Sequence, residues 1–184
     1  MSCPCVGENT VPHRRRSIRL KDYDYTQNGA YFVTICTIQR YEWFGEIRDD
    51  SMNLNPVGRI VQDCWLQISD HFPHVELDEF VVMPNHLHGI LVITHDSGAR
   101  HVVPLQSAAF AQPIAGSLPT IIRSFKAAVT KQINRSHLPS ERIWQRNYYE
   151  HIIRSEMSLN AIRQYIRANP TERERDEENL RRAL

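Results

Sequence analysis

Two histidines, His86 and His88, stand one residue apart in the apolar run 81–94, VVMPNHLHGILVIT. Side chains on a β-strand alternate between faces, so both imidazoles project from one face and Leu87 from the other. Two imidazoles on one face suit a single divalent cation or a single phosphate. As ligands they leave coordination positions open for water, substrate or a third side chain, which makes an open Lewis-acid site. The same spacing also fits a histidine pair hydrogen-bonded within the core. A second candidate lies in 163–170, RQYIRANP. Tyr165 and Asn169 are four residues apart and neighbours on one helical face, at the border of an apolar stripe formed by Leu159, Ile162 and Ile166. A phenol titrates near pH 10, so it is a weak nucleophile unless positioned. Once phosphorylated, it is a durable covalent carrier that keeps the bond energy for rejoining a strand. A cation at His86 and His88 would polarise a phosphate and stabilise a departing 3′ oxygen, and the Asn169 carbonyl would complete the metal shell.

The elements that must position these groups are legible in outline. Residues 31–38, YFVTICTI, are β-branched and aromatic and predict a strand. Residues 46–54, with the polar Asp49-Asp50-Ser51 turn, predict a short hairpin or edge strand. Asn55-Pro56 caps a helix over 56–71, with Val57, Ile60, Val61, Cys64 and Ile68 at helical spacing. A strand over 75–83 turns at Pro84-Asn85 into an antiparallel partner over 86–94. Both are apolar on either side near their centres, which predicts two strands in the middle of a sheet. Residues 95–116 lose periodicity and predict a long mobile loop. Ser117 caps a helix over 118–135 with the stripe Leu118, Ile121, Ile122, Phe125, Val129 and Ile133. A final helix over 155–169 stops at Pro170. The order predicts an α+β, ferredoxin-like sandwich: an antiparallel sheet with helices packed on one face, plus an extra C-terminal helix. A basic arm (1–29), one domain (30–170) and a charged tail (171–184) divide the chain.

The 184 residues suffice for one domain, and 41% hydrophobic with 23% charged content is ordinary for a globular protein. Apolar runs fall short of the roughly 20 residues of a membrane span, and residues 1–19 lack the apolar centre of a secretory signal. These features predict a cytoplasmic, nucleoid-associated protein without a membrane partner. Of the four cysteines, Cys36 and Cys64 fall in apolar patterns as small hydrophobes, and the lone Cys3-Val-Cys5 lacks the paired spacing of a zinc site. The net charge of +1 hides a segregation of basic from acidic segments. Arg14, Arg15 and Arg16 form a basic arm, Arg123 and Lys126 share a helix, and Arg146 and Arg154 flank Tyr148 and Tyr149. Aromatics among arginines suit unpaired bases and phosphates. Packing of the two tyrosines beside Trp144 accounts for the same pattern.

MPNHLHGILVI resembles the His-hydrophobic-His signature of the HUH endonuclease superfamily, and QYIRANP resembles the single-tyrosine helix of its small transposase branch. The stretches YFVTICT, LNPVGRIV, ELDEFVVMPNHLHGILVI, SFKAAVTKQIN, IWQRNYYEHIIRSE and YIRANP follow the order of the REP-associated tyrosine transposases. That resemblance implies a metal-dependent endonuclease and strand transferase that acts on hairpin-containing single-stranded DNA through a 5′-phosphotyrosine, with Mg²⁺ or Mn²⁺. It carries His86 and His88 over as metal ligands and Tyr165 as nucleophile. Asn169 stands where insertion-sequence relatives often have glutamine, one methylene longer; both amides offer a carbonyl oxygen. Those relatives act as dimers that exchange the tyrosine helix, so the resemblance admits a homodimer. The alternative is a regulator that binds DNA on the same fold without cutting; such a decayed relative is expected to have lost a histidine or the tyrosine, and this chain keeps all three.

Overall fold

A computed structural model describes residues 23–94, 114–136 and 142–171. The basic cluster Arg14–Arg16, most of the 95–116 segment and the tail beyond 171 lie outside the described residues. Strand β1 (Gly29–Cys36) is followed by a 3-10 turn and by the hairpin β2 (Gly45–Arg48) and β3 (Ser51–Leu54). Asp49 and Asp50 both have positive φ (49° and 57°), as a two-residue hairpin turn requires. Helix α1 (Pro56–Leu66) starts where the Asn55 side chain accepts from Gly58 N at 2.9 Å. The expected 56–71 helix breaks at Gln67, and α2 (Ile68–His71) is its short continuation. Strands β4 (Val75–Met83) and β5 (His86–Ile93) form the long antiparallel pair, and α3 (Leu118–Arg135) buries the six residues of its expected stripe. Ser117 stands at the cap position, but its hydroxyl donates to Ile114 O at 2.7 Å rather than capping the helix.

Strand β6 (Tyr149–Ile153) has no counterpart in the sequence reading; it precedes α4 (Glu156–Ala168) and pairs antiparallel with β1. It completes a β-α-β-β-α-β succession with the sheet order β4-β5-β1-β6, all antiparallel, as in ferredoxin-like sandwiches. The order also corrects the placing of β4. The interior strands are β5 and β1; β4 is an edge strand and half-buried along most of its length.

Alternation sorts the sheet into two faces. Tyr31, Val33, Ile35, Leu87, Leu91 and Ile93 turn towards α1 and α3 and form the main core with Trp65 and Phe125. Phe32, Ile90 and Ile153 turn the other way and pack on Ile166 of α4. The helices of the core lie on one face, and the extra helix lies on the other. Gly89 joins the two layers: a Cβ there would sit 2.3 Å from the Trp65 ring, so the indole rests directly on β5 behind the histidines. Gly89→Ala should therefore lower stability by about 2 kcal/mol through overpacking, against the gain that glycine replacement gives an unobstructed strand. Urea denaturation measures the change.

Candidate active site

His86 and His88 lie on β5 at 3% and 1% exposure, facing the α4 side of the sheet. Their Nε2 atoms are 3.0 Å apart. His86 Nδ1 is 2.6 Å from Asn85 Oδ1, an oxygen that only accepts, so Nδ1 carries the proton and Nε2 presents a lone pair. His88 Nδ1 is 2.8 Å from Thr34 Oγ1, a hydroxyl able to donate or accept. Thr34 is the residue directly opposite His88 in the β1–β5 register. The His88 ring stacks on Phe32 at 5.4 Å between centroids.

Helix α4 starts at Ser155, whose side chain accepts from Ser158 N at 3.2 Å, and crosses this face of the sheet. Its Tyr165 hydroxyl reaches His88 Nε2 at 3.3 Å, and its ring meets Phe32 edge-on at 6.1 Å. Tyrosine and histidines thus meet within one chain. Asn169 is the C-cap of α4 and 2% exposed. Sequence reasoning missed Asn85, Thr34 and Phe32. Asn85 adjoins His86 in the chain, but the other two become neighbours of His88 only through strand register.

Two Nε2 atoms 3.0 Å apart match the separation of adjacent ligands in an octahedron with bonds of about 2.1 Å, which is about 3.0 Å. The pair therefore fits a small divalent cation. Among the described residues no group of three or more His, Cys, Asp or Glu side chains is placed to hold a metal. Further ligands to such a cation would be amide, water or substrate oxygens.

The expected DNA-contacting residues fall in different places. Tyr149 is half-buried on the histidine face, 6.4 Å from Phe32, whereas Tyr148 packs against the main core on the opposite face. Arg123 and Arg154 are exposed. Arg146 lines a cleft of about 830 Å³ between α3 and the 142–146 segment, with Lys126, Lys131, Arg135 and Arg142 around it. Lys126 is the least solvated of these. Its Nζ donates to Gln145 O and Asn147 O, both at 2.9 Å, and burial pulls its pKa down to about 8. Its ammonium ties α3 to the segment leading into β6.

Replacing Thr34 by valine removes the hydroxyl and keeps the shape, leaving His88 Nδ1 buried without that partner. A loss of about 1–3 kcal/mol is expected, with a change in the His88 tautomer visible in its ring ¹⁵N shifts.

No family model matches the chain. A Haemophilus influenzae protein called "Uncharacterized protein" is 46% identical over 172 residues, covering 92% of this chain and 95% of its own. A second protein of that organism, called "Putative REP-associated tyrosine transposase", is 26% identical over 149 residues, 80% of this chain and 73% of its own. Among solved structures, one described as "Structure of the REP associates tyrosine transposase bound to a REP hairpin" superposes with a TM-score of 0.57 at 18% identity, covering 84% of this chain and 74% of that one. At that identity the likeness concerns the fold. The protein belongs to one family with the 46%-identical Haemophilus influenzae relative, and in sequence and fold it is similar to REP-associated tyrosine transposases.

Proposed function

We propose that this chain is a metal-dependent endonuclease and strand transferase for single-stranded DNA carrying a hairpin, with Tyr165 as nucleophile. The observation that carries the reading is the convergence of the Tyr165 hydroxyl and two buried imidazole Nε2 atoms, 3.3 Å and 3.0 Å apart in succession, on one face of the sheet. A histidine pair serving only the core would not require a phenol brought to the same nitrogen by a separate helix. The similarity to a protein called a tyrosine transposase, and to a fold seen bound to a REP hairpin, supports the substrate class.

His86 and His88 would hold the cation, Mg²⁺ or Mn²⁺, with Asn169 as the candidate oxygen ligand. When bound, the cation supplies Lewis-acid polarisation of the scissile phosphate and stabilises charge on the leaving oxygen. Asn85 keeps the His86 lone pair on Nε2, and Phe32 stacks on the His88 ring. Tyr165 Oη attacks phosphorus and loses its proton to water. The P–O3′ bond breaks, one strand end leaves as a 3′ hydroxyl, and the other stays on Tyr165 as a 5′-phosphodiester. Attack by a 3′ hydroxyl on that linkage reverses the step and joins strands. The half-buried seam between α4 and the sheet holds the phenol at the histidines before any DNA arrives, so little reorganisation is left for the chemical step.

Incubation with labelled single-stranded hairpin DNA, with and without Mg²⁺ or Mn²⁺, tests this. The wild-type protein should form a covalent DNA adduct that requires the cation. Tyr165→Phe should abolish the adduct while DNA affinity stays within about twofold, because only a hydroxyl is lost. Adduct formation by Tyr165→Phe at the normal rate would remove Tyr165 as nucleophile. Binding by the wild-type protein with no adduct under any cation would favour the non-cleaving regulator.

A further inference from the structure

Helix α4 carries the proposed nucleophile, yet its apolar attachment is thin. Ile166 is its one fully buried residue, where α3 buries six. Leu159, Ile162 and Tyr165 are only partly buried beside it. What holds α4 in register is found on its other flank. At about 100° per residue, Tyr165 and Asn169 lie on one side of the Leu159–Ile162–Ile166 stripe, and Arg163 and Arg167 lie on the other. Arg163 makes a two-pronged pair with Asp78, Nε to Oδ1 at 2.9 Å and Nη2 to Oδ2 at 2.5 Å. Arg167 pairs with Glu79. The Arg163–Asp78 pair is half-buried, at 30% and 17% side-chain exposure, and the Arg163 guanidinium holds the Asp78 carboxyl below the usual aspartate range. Asn160 Oδ1, 3.1 Å from Arg163 Nη1, orients the guanidinium from within the helix.

Two adjacent strand residues ordinarily point to opposite faces. Asp78 and Glu79 both reach α4 because β4 is irregular there. Leu77 pairs with Leu91 and Phe80 with Gly89, so β4 spends one more residue than β5 across the interval. This is a β-bulge, a device that re-aims side chains beside functional sites. Asp78 Oδ1 also accepts from Glu79 N at 2.7 Å, which fixes the bulge locally.

We propose that the bulge carboxylates and the α4 arginines form an electrostatic latch that sets the rotation of α4 about its axis, and that Asp78 and Arg163 are positioning residues acting through Tyr165. The inference rests on the reading of Tyr165 as nucleophile for its catalytic consequence, but not for its structural one. Pinning one flank of a helix that pivots on a narrow apolar seam fixes the opposite flank, where the phenol meets His88. Edge strand β4 serves as the anchor for this helix, while the interior strand β5 carries the histidines.

The test uses the full chain with Asp78→Asn, Arg163→Ala and the swapped pair Asp78→Arg with Arg163→Asp. Three quantities are read: hydrogen–deuterium exchange of α4 against β5, affinity for hairpin DNA, and adduct rate at saturating DNA. In Asp78→Asn, α4 exchange should rise about fivefold. The adduct rate should fall by a similar factor, with β5 exchange and DNA affinity unchanged. The swap should restore both α4 protection and adduct rate beyond either single variant. Unchanged α4 exchange in Asp78→Asn and Arg163→Ala would overturn the latch. Faster α4 exchange with an unchanged adduct rate would overturn the positioning role, provided Tyr165→Phe is inert; an active Tyr165→Phe would instead strike the nucleophile assignment and leave the latch to the exchange data. If a single variant also loosens β5, the swapped pair decides, and failure of the swap to protect α4 counts against the latch.

Discussion

An imidazole placed at 1% exposure on an interior strand of the sheet is the constraint to which the surrounding residues answer. A buried polar ring costs free energy unless its nitrogens are engaged. His88 meets this through a line of contacts running from Thr34 through both imidazoles to Asn85, with the Tyr165 hydroxyl joining at His88 Nε2. Each member is buried or half-buried. Such networks are stable when complete and costly when one member is removed. The need to satisfy His88 therefore fixes which residue stands opposite it on β1 and what the helix above must carry.

The two faces of the sheet divide the work accordingly. The face towards α1 and α3 is almost wholly apolar, with Trp65 set against Gly89 so that the strand bearing the histidines is backed by a rigid ring. The face towards α4 gives up apolar burial at Thr34, His86 and His88, and α4 itself buries Asn169 at its C-cap. Stability from one layer supports a polar constellation on the other, as a preorganised site needs. The cost is visible in α4, which the apolar seam alone holds weakly and which turns to charged contacts with the edge strand.

Much of this arrangement is written in local pattern. The strand period placed His86 and His88 on one face and Leu87 on the other, and the helical period gave the α3 stripe residue for residue. What escaped depends on register between distant segments. Thr34 sits in an ordinary strand motif, and only the pairing of β1 with β5 makes it the partner of His88. Strand β6 was missed because YEHII is short and interrupts its apolar residues with Glu150 and His151, and because its flanking arginines and tyrosines read as a surface segment. The apolar content of β4 suggested an interior strand, although its Asp78 and Glu79 are the residues an edge strand would carry. Lys126 reads in the sequence as a DNA-contacting cation beside Arg123 on α3; tertiary structure turns its ammonium onto two carbonyls.

The contact between Tyr165 and His88 has a further meaning for the proposed chemistry. His86 is fixed by Asn85 with its proton on Nδ1, so in the closed line of contacts His88 is the donor between the two Nε2 atoms. Its own Nδ1 then accepts from the Thr34 hydroxyl. A His88 that ligates a cation through Nε2 must instead carry its proton on Nδ1 and donate to Thr34. A hydroxyl satisfies both states by rotation about one bond, whereas a carboxylate or an amide nitrogen at the same place would favour one of them. In the closed line of contacts His88 Nε2 carries the proton, so the Tyr165 oxygen can meet it only as an acceptor. The 3.3 Å contact thus describes the phenol at rest on His88.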